Sequence, residues 1–416
     1  MKSFVPLIKS DWRLLLFGFA LMFFSSPGQT YFIALFGGEI RSTLNLSHGE
    51  FGAVYSLATL LSAFLLLWTG PLIDRVPLKT FSYAVVIGLA LACVVMAGSH
   101  NVLMLFVAIL LLRQLGQGLM SMTSASTMVR YLSASKGKAN SLANMGYSAA
   151  EATLPSVIIA LLAFLSWRQT WLLVALTVIL LLPMVIRFLL REQVSRHTRY
   201  LAEIDEREAA SLNGTMIAQQ RQWTRAEVIR DPLFYMFVPG LLSQSMLYTG
   251  FMFHQIHLVD EKGWPLVLWG SLYLLFSLTA IVMSLVIGSL VDRWGAVRLA
   301  PFVTTPMALG LLILSTADST VVAVVFMLCM AVSTAAQAAV TTPFFAERYG
   351  NKYFGSIKSL GTFTMVLLSA ISPVVLGWFI DRGVSMDQLA QASAGYAVGA
   401  ALLAYAAYRV TLKQTA

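Results

Sequence analysis

An arginine interrupts a stretch that is otherwise apolar. Arg113 lies about 11 residues into the run 102–131, which at about 1.5 Å per helical residue is roughly 16 Å into a membrane span. A guanidinium stays protonated in a protein, and placing one at mid-bilayer costs about 2.5–3.5 kcal/mol on insertion scales. Such a cation faces a cavity and takes an anion or a carboxylate as its partner. Gln117 follows one α-helical turn along the same face, with Gly116 and Gly118 beside it to allow close helix packing. Glu151 is the carboxylate at matching depth, about 13 residues into the run 138–163. Asn140, Asn144, Tyr147, Ser148 and Glu151 recur at helical spacing and form one polar stripe. The chemistry open to this set is capture of a carboxylate by Arg113 and carriage of a proton by Glu151. A static ion pair is the competing reading.

These residues can be positioned only by helices in a bilayer. The chain is 58% hydrophobic and 11% charged, with a mean hydropathy of +0.77, where a soluble chain carries about 25% charged residues. A span needs about 20 apolar residues. Twelve such stretches are predicted, at 12–36, 50–73, 78–98, 102–131, 138–163, 168–190, 232–258, 265–291, 297–316, 319–345, 354–380 and 391–411. The fold class is all-α, a polytopic membrane protein. Of the 28 Lys and Arg residues, 23 fall on the side that holds both termini and four on the other. That bias places both termini in the cytoplasm, in the cell (inner) membrane. The formal charge of +9 is thereby explained by topology, not by nucleic acid. Cys93 and Cys329 both lie in apolar runs and give neither a disulfide framework nor a metal cluster. The first apolar stretch is too long for a signal peptide and reads as a retained helix.

The chain contains a repeat. Gly70-Pro-Leu-Ile-Asp74-Arg75 returns as Gly288-Ser-Leu-Val-Asp292-Arg293, an offset of 218 residues. The same offset maps Arg130-Tyr131 onto Arg348-Tyr349, Gly137 onto Gly355, Ser141-Leu142 onto Ser359-Leu360 and Pro155 onto Pro373. The expected organisation is an N-terminal six-helix bundle over 1–190, a polar cytoplasmic linker over 191–230 with a short surface helix near 199–210, and a C-terminal six-helix bundle over 231–416. Parallel repeats of this size place a binding site between the halves. The duplicated loops, Gly70, Asp74, Arg75 and Lys79 in one copy and Gly288, Asp292, Arg293 and Arg298 in the other, read as charged latches that favour one conformation over another. A third look-alike, Gly377-x-x-x-Asp381-Arg382-Gly383, lies at the opposite face and is assigned to a helix end and a turn.

The Gly-x-x-x-Asp-Arg loop after the second span, repeated after the eighth, resembles the signature of the major facilitator superfamily. The twelve spans, the central polar loop and the half-chain repeat agree with it over the whole chain. The second copy keeps Gly295 and Arg298 of the longer pattern, and the first has Pro77 and Lys79 instead. Within the superfamily, Leu46-Ser47-His48-Gly49-Glu50-Phe51-Gly52, Lys136-Gly137-Lys138-Ala139 and Ser166-Trp167-Arg168 are similar to stretches of bacterial monocarboxylate and oxalate/formate porters. Arg113-x-x-Gly116-Gln117-Gly118 resembles the family's Arg-x-x-Gln-Gly pattern in span 4, with Gly and Gln interchanged. The resemblance implies secondary transport by alternating access of a small organic anion, coupled to a proton or to a counter-substrate.

Further candidates line the same expected cavity. Span 1 breaks at Ser25-Ser26-Pro27-Gly28-Gln29, with Tyr31 beyond, and span 7 offers Ser243, Gln244, Tyr248 and His254. Gln337 in span 10 completes the C-terminal wall. Substrate contacts are therefore expected from Arg113, Gln117, Gln29, Tyr31, Tyr147, Gln244, Tyr248 and Gln337. Each uncharged residue has interhelical hydrogen bonding as its alternative. His254 and His257, one turn apart, lack the neighbours of a metal site, and a pH-sensing role is open to them. There is no Gly-x-x-x-x-Gly-Lys-Ser/Thr loop for ATP and no spacing for a Ser/His/Asp triad, so neither an ATP-driven pump nor an enzyme is expected, and no cofactor. The expected partners are the solute, a proton or counter-substrate, and membrane lipid, for a monomeric protein. Two alternatives stay open. The 12% aromatic content and 19 Met residues suit an exporter of amphipathic metabolites or drugs, although span 5 carries Leu154-Pro155 where drug/proton antiporters carry Gly-Pro. A membrane receptor or sensor that binds without turnover is the other.

Overall fold

The computed structural model describes residues 5–70, 72–132, 136–191, 223–350 and 354–415. The predicted surface helix near 199–210 lies outside the described residues. Every regular element among those described is helical. In the first half these are α1 (Val5–Phe24), a 3-10 turn (Ser26–Gly28), α2 (Thr30–Ala34), α3 (Gly37–Leu44), α4 (His48–Thr69), α5 (Leu72–Arg75), α6 (Leu78–Ala97), α7 (Val102–Leu112), a π-helical stretch (Arg113–Met120), α8 (Ser121–Tyr131), α9 (Lys136–Leu162) and α10 (Trp167–Leu189). The second half has α11 (Arg225–Arg230), α12 (Pro232–Phe253), α13 (Gln255–Glu261), α14 (Leu266–Trp294), α15 (Ala296–Leu299), a 3-10 turn (Ala300–Phe302), α16 (Thr305–Leu314), α17 (Thr320–Tyr349), α18 (Phe354–Ile380) and α19 (Met386–Thr415).

Ten helical stretches among the described residues are long and apolar enough to cross a membrane. The other two predicted spans are the first and the seventh, which hold equivalent places in the repeat. Span 1 is divided among α1, the Ser26–Gly28 turn and α2, and α12 carries the polar run Ser243-Gln244-Ser245. The architecture is that of a polytopic twelve-helix membrane protein. Helix starts follow local chemistry. Ser166 and Gln169 make a capping box before α10, Thr224 and Glu227 another before α11, and Asn101 accepts from the Met104 amide before α7.

By their contacts the residues divide into two compact units. The first comprises Met1–Ile33, Leu61–Leu154 and Leu161–Gln219, and the second Ala34–Leu60, Pro155–Ala160 and Gln220–Ala416. In the first unit α1 runs along α8 and α10, and α6 along α10. Glycines let the backbones approach closely, as small residues do in membrane helix pairs. A Cβ on Gly146 of α9 would collide with the Phe19 carbonyl oxygen of α1. One on Gly28 would collide with the Leu112 carbonyl oxygen and fall 2.6 Å from the Gln117 amide nitrogen. The break in span 1 is thus seated directly on the π-helical stretch of span 4.

In the second unit α14 packs along α17, and α12 along α18 and α19. Its termini-side end is tied by a buried polar network. Asp231 accepts from the Leu233 amide at 3.0 Å, capping α12. Its other oxygen takes the Tyr349 hydroxyl at 3.0 Å and Arg348 Nη2 at 3.3 Å. Glu347 accepts from the amides of Ala296 at 2.8 Å and Val297 at 3.1 Å. It caps α15 just after Gly295, whose φ of +82° suits glycine. Arg348 and Tyr349 are the repeat mates of Arg130 and Tyr131, and Arg130 donates to the Ile73 carbonyl in the first unit. Both copies of the Gly-x-x-x-Asp-Arg loop are therefore tied to the end of a neighbouring long helix, through different atoms.

At the other end of the second unit the buried Lys262 ammonium meets Asp318 at 2.7 Å and Asp387 at 2.5 Å. Burial alone would lower its pKa, but the hydrogen bonds and charges of the two aspartates outweigh burial and raise it above the ordinary 10.5. A raised lysine pKa means the contribution is complete below the unfolded value and is lost as pH rises through the folded one. This tie therefore holds throughout the physiological range.

Three outcomes follow in thermal or denaturant unfolding of the purified protein. Asp231→Ala strips a buried cation of its carboxylate and is expected to lose about 3–5 kcal/mol. Gly28→Ala is expected to lose about 1–3 kcal/mol by overpacking against backbone. At Gly288 in α14 an added Cβ meets nothing within 4 Å, so Gly288→Ala is expected to be neutral or to gain about 0.5–1 kcal/mol. An equal loss at both glycines would contradict the contrast in packing.

Candidate functional site

The chemistry predicted for spans 1, 4 and 5 comes together in the first unit. Arg113 is 3% exposed, and its Nη1 donates to the Gly28 carbonyl at 3.0 Å. The 3-10 turn creates this acceptor environment. Pro27 has no amide to donate, and the chain is extended at Gln29 (φ −87°, ψ 149°) before α2 resumes. The freed groups of the break are answered locally. Ser25 and Ser26 hydroxyls donate to the Met22 and Phe23 carbonyls at 2.7 and 2.6 Å. Gln29 Nε2 donates to Ser25 Oγ at 3.2 Å.

Tyr31, in the first turn of α2 beyond the break, is buried. Its hydroxyl donates to Ser26 Oγ at 2.8 Å, and its ring meets that of Tyr147 edge-on with centroids 6.0 Å apart. Tyr147 in turn donates to Glu151 Oε1 at 3.2 Å. Glu151 is buried like Arg113. The predicted residues Arg113, Gln29, Tyr31, Tyr147 and Glu151 thus belong to one polar group built around the break in span 1. A fixed guanidinium and a carboxylate bonded to a phenol, both removed from bulk water, are groups that can bind an anion and hold a proton.

The span 4 geometry differs from the expected one. Residues 113–120 wind as a π-helix, with hydrogen bonds to the fifth residue and not the fourth. Gln117 therefore does not stack squarely one turn below Arg113. Its amide nitrogen instead lies against Gly28, and its side chain is half-buried. Gln114, which sequence reasoning passed over, is buried and donates to Thr69 Oγ1 at 2.7 Å. No periodicity in the sequence marks a π-turn. The one available signal was the glycine pair at 116 and 118, which showed close approach but not the winding.

In the second unit the predicted wall residues hold their own helices together. Gln244 Nε2 donates to Thr334 Oγ1 at 2.6 Å. Gln337 accepts from the Ser245 hydroxyl at 2.7 Å and donates to the Leu241 carbonyl at 3.0 Å. These bonds stitch α12 to α17. Tyr248 packs on Phe276 with centroids 5.8 Å apart.

Of the latch residues, Gly70 is closely packed, with the Leu66 carbonyl 2.7 Å and Met122 Sδ 3.0 Å from an added Cβ. Lys79, Arg293 and Arg298 are exposed. The side chains of Asp74, Arg75 and Asp292 lie outside the described ones.

No curated protein matches the sequence. Among solved structures the chain is similar to the nucleoside transporter NupG. In a mutant form of that protein the identity is 14%, the coverage 95% of this chain and 99% of that one, and the TM-score 0.70. A second NupG structure gives a TM-score of 0.66 at 14% identity, over 95% and 99% of the two chains. A bacterial homolog of the human lysosomal transporter Spinster, inward-facing and unoccupied, gives 0.68 at 14% identity, over 97% and 98%. At that identity the likeness is one of fold. The family model of the Major Facilitator Superfamily matches residues 18–373, and with that match over most of the sequence the chain belongs to the Major Facilitator Superfamily of membrane transporters.

Proposed function

We propose that the protein is a secondary transporter of a small organic anion of the monocarboxylate kind, driven by a proton or by exchange. The observation that carries this reading is Arg113. A guanidinium buried inside a span stays charged and needs negative charge nearby to offset its desolvation. Its Nη1 is held on the Gly28 carbonyl, beside the break in span 1. An incoming carboxylate can pair with it through two parallel hydrogen bonds. Glu151, bonded through Tyr147 into the same group, is the proton carrier in this reading. When the solute carboxylate takes Arg113, a proton on Glu151 keeps a second negative charge out of the site.

Alternating access in this reading works the two six-helix bundles, 1–190 and 231–416, about the linker at 191–230. Gly70, Asp74, Arg75 and Lys79, with Gly288, Asp292, Arg293 and Arg298, bias one conformation at the cytoplasmic face. Both termini are cytoplasmic and the protein works as a monomer in the cell (inner) membrane.

Uptake of labelled mono- and dicarboxylates into proteoliposomes, with and without an inward proton gradient, tests the proposal. Wild type is expected to show gradient-stimulated uptake, and Arg113→Ala to lose it by a factor of about 100 or more, as when a charge-paired contact is removed. Glu151→Gln is expected to abolish stimulation by the gradient while solute exchange continues. A nucleoside and an amphipathic cation run in the same panel. Uptake of either in place of every carboxylate, unaffected by Arg113→Ala, would overturn the anion reading. Binding of a carboxylate with no flux under any gradient would favour a receptor.

A further inference from the structure

The third Gly-x-x-x-Asp-Arg stretch, set aside at the sequence level as a helix end and a turn, bonds to the start of α4 within the second unit. α4 begins with four amides that no helical carbonyl can reach. Two are met locally: Glu50 accepts from the Ser47 amide at 2.8 Å, and Ser47 Oγ accepts from the Glu50 amide at 3.1 Å. The other two are met from the far end of the sequence. Asp381 Oδ1 takes the His48 amide at 2.9 Å and Oδ2 takes the Gly49 amide at 2.7 Å, across separations of 333 and 332 residues. A carboxylate on the positive end of a long helix is a favourable electrostatic placement.

The backbones beneath this cap touch. A Cβ on Gly377 would lie 2.5 Å from the His48 carbonyl oxygen, and one on Gly52 would lie 2.5 Å from the Pro373 carbonyl oxygen. The motif's glycine and its aspartate thus do separate jobs, one giving the close approach and the other the cap.

Three histidines gather beside the same crossing. The His48 ring lies 4.3 Å from that of His257 and 5.6 Å from that of His254. His254 is 4% exposed and donates Nε2–H to the Pro373 carbonyl at 2.8 Å, which ties it to α18. Arg41 lines one small cavity with all three, closed by Phe51 and Phe253. The charged groups that act on this set are Arg41 from α3, Asp260 and Glu261 from α13, and Asp381 just beyond α18, with Glu50 of α4 and Arg382 their neighbours in sequence. Most carboxylates there are already engaged: Glu261 is 3.4 Å from His257, Glu50 caps its own helix, and Asp381 caps α4. Arg382 rests on the Trp378 ring.

We propose that Gly377 and Asp381, closed on His48 and Gly49, form a latch on the face opposite the termini, and that protons taken up by His48, His254 and His257 release it. Closed, the cluster holds three rings and a guanidinium in a space with little water, so each added proton meets Arg41 and the other rings. Parted, each ring hydrates separately. Protonation and opening are therefore linked, and the linkage is reciprocal. Asp381 is not the sensor. Burial would raise its pKa, but the Ser47 hydroxyl and the Gly49 and His48 amides outweigh burial and hold it below the ordinary 3.8. The cap on its own is thus present above that value and lost only as pH falls below it. The proposal does not use the identity of the solute and stands or falls apart from the anion reading.

The test is a distance distribution between nitroxides at Ser42→Cys and Ser319→Cys, in a Cys93→Ala, Cys329→Ala background of the full chain in lipid nanodiscs. At pH 8 a single short distance is expected. At pH 5.5 a longer population is expected to rise by on the order of tenfold for each histidine whose pKa differs by one unit between the two states. Asp381→Asn, which keeps the shape and removes the charge, is expected to raise that population at pH 8. Replacing the three histidines by Gln is expected to remove the pH response and keep the short distance. If the triple variant does not elute as a single species, His48→Gln and His254→Gln are read singly, each with a weakened response. A wild-type distribution unchanged from pH 8 to 5.5, or an Asp381→Asn distribution equal to wild type, overturns the proposal. So does opening at pH 5.5 that survives loss of the histidines.

Discussion

A polar backbone group exposed inside a bilayer has to find its partner within the protein, because no water is there to supply one. The consequences run through this chain. Where span 1 gives up its helix at Ser25–Gln29, the serine hydroxyls bond the carbonyls of the preceding turn, and the Gly28 carbonyl receives Arg113. A soluble protein could leave such a break to solvent. Here the break fixes which neighbour must approach, how closely, and with which atom. The absence of a side chain at Gly28 and Gly116 is what allows that approach, since each would otherwise collide with the other strand of backbone.

The same constraint decides how carboxylates are used. Asp231, Glu347 and Asp381 each accept from the first amides of a helix. Two of them reach a helix outside their own stretch of sequence. A helix start with four orphan amides is a local problem with a non-local solution, and the solution chosen ties distant segments together. Lys262 does the converse, joining Asp318 of a connection to Asp387 in the first turn of α19 while itself buried. The same few charged groups thus join helix starts to segments far away in sequence.

Much of this was legible in the sequence. Hydropathy located the spans, the 218-residue offset exposed the repeat, and the cost of a mid-bilayer charge singled out Arg113 and Glu151. The polar residues of broken span 1 were legible because Ser, Pro and Gly interrupt an apolar run. What was not legible depends on contacts across the chain. The π-winding after Arg113 leaves no period to detect, so Gln117 was given the position an α-helix would assign and Gln114 was passed over. Gln244 and Gln337 could be recognised as polar and inward, but not as bonded to Thr334, Ser245 and the Leu241 carbonyl. Asp381 lies 333 residues from the amide it caps, beyond the reach of any local rule.

The two kinds of Gly-x-x-x-Asp-Arg stretch show how little a motif says without its surroundings. Gly70 is packed against a neighbouring helix, and Gly377 touches the start of another, but Gly288 faces open space. The same glycine, at the same place in the pattern, is a contact in two copies and free in the third. The Arg-Tyr pair that ends α8 in one half and α17 in the other diverges in the same manner, with Arg130 on a carbonyl and Arg348 on Asp231. A duplicated chain retains the positions, and each half then finds its own partners for them. Near-symmetric halves with unequal contacts have states of unequal energy, and a protein that alternates between two states needs that inequality to be small enough for a solute or a proton to reverse it.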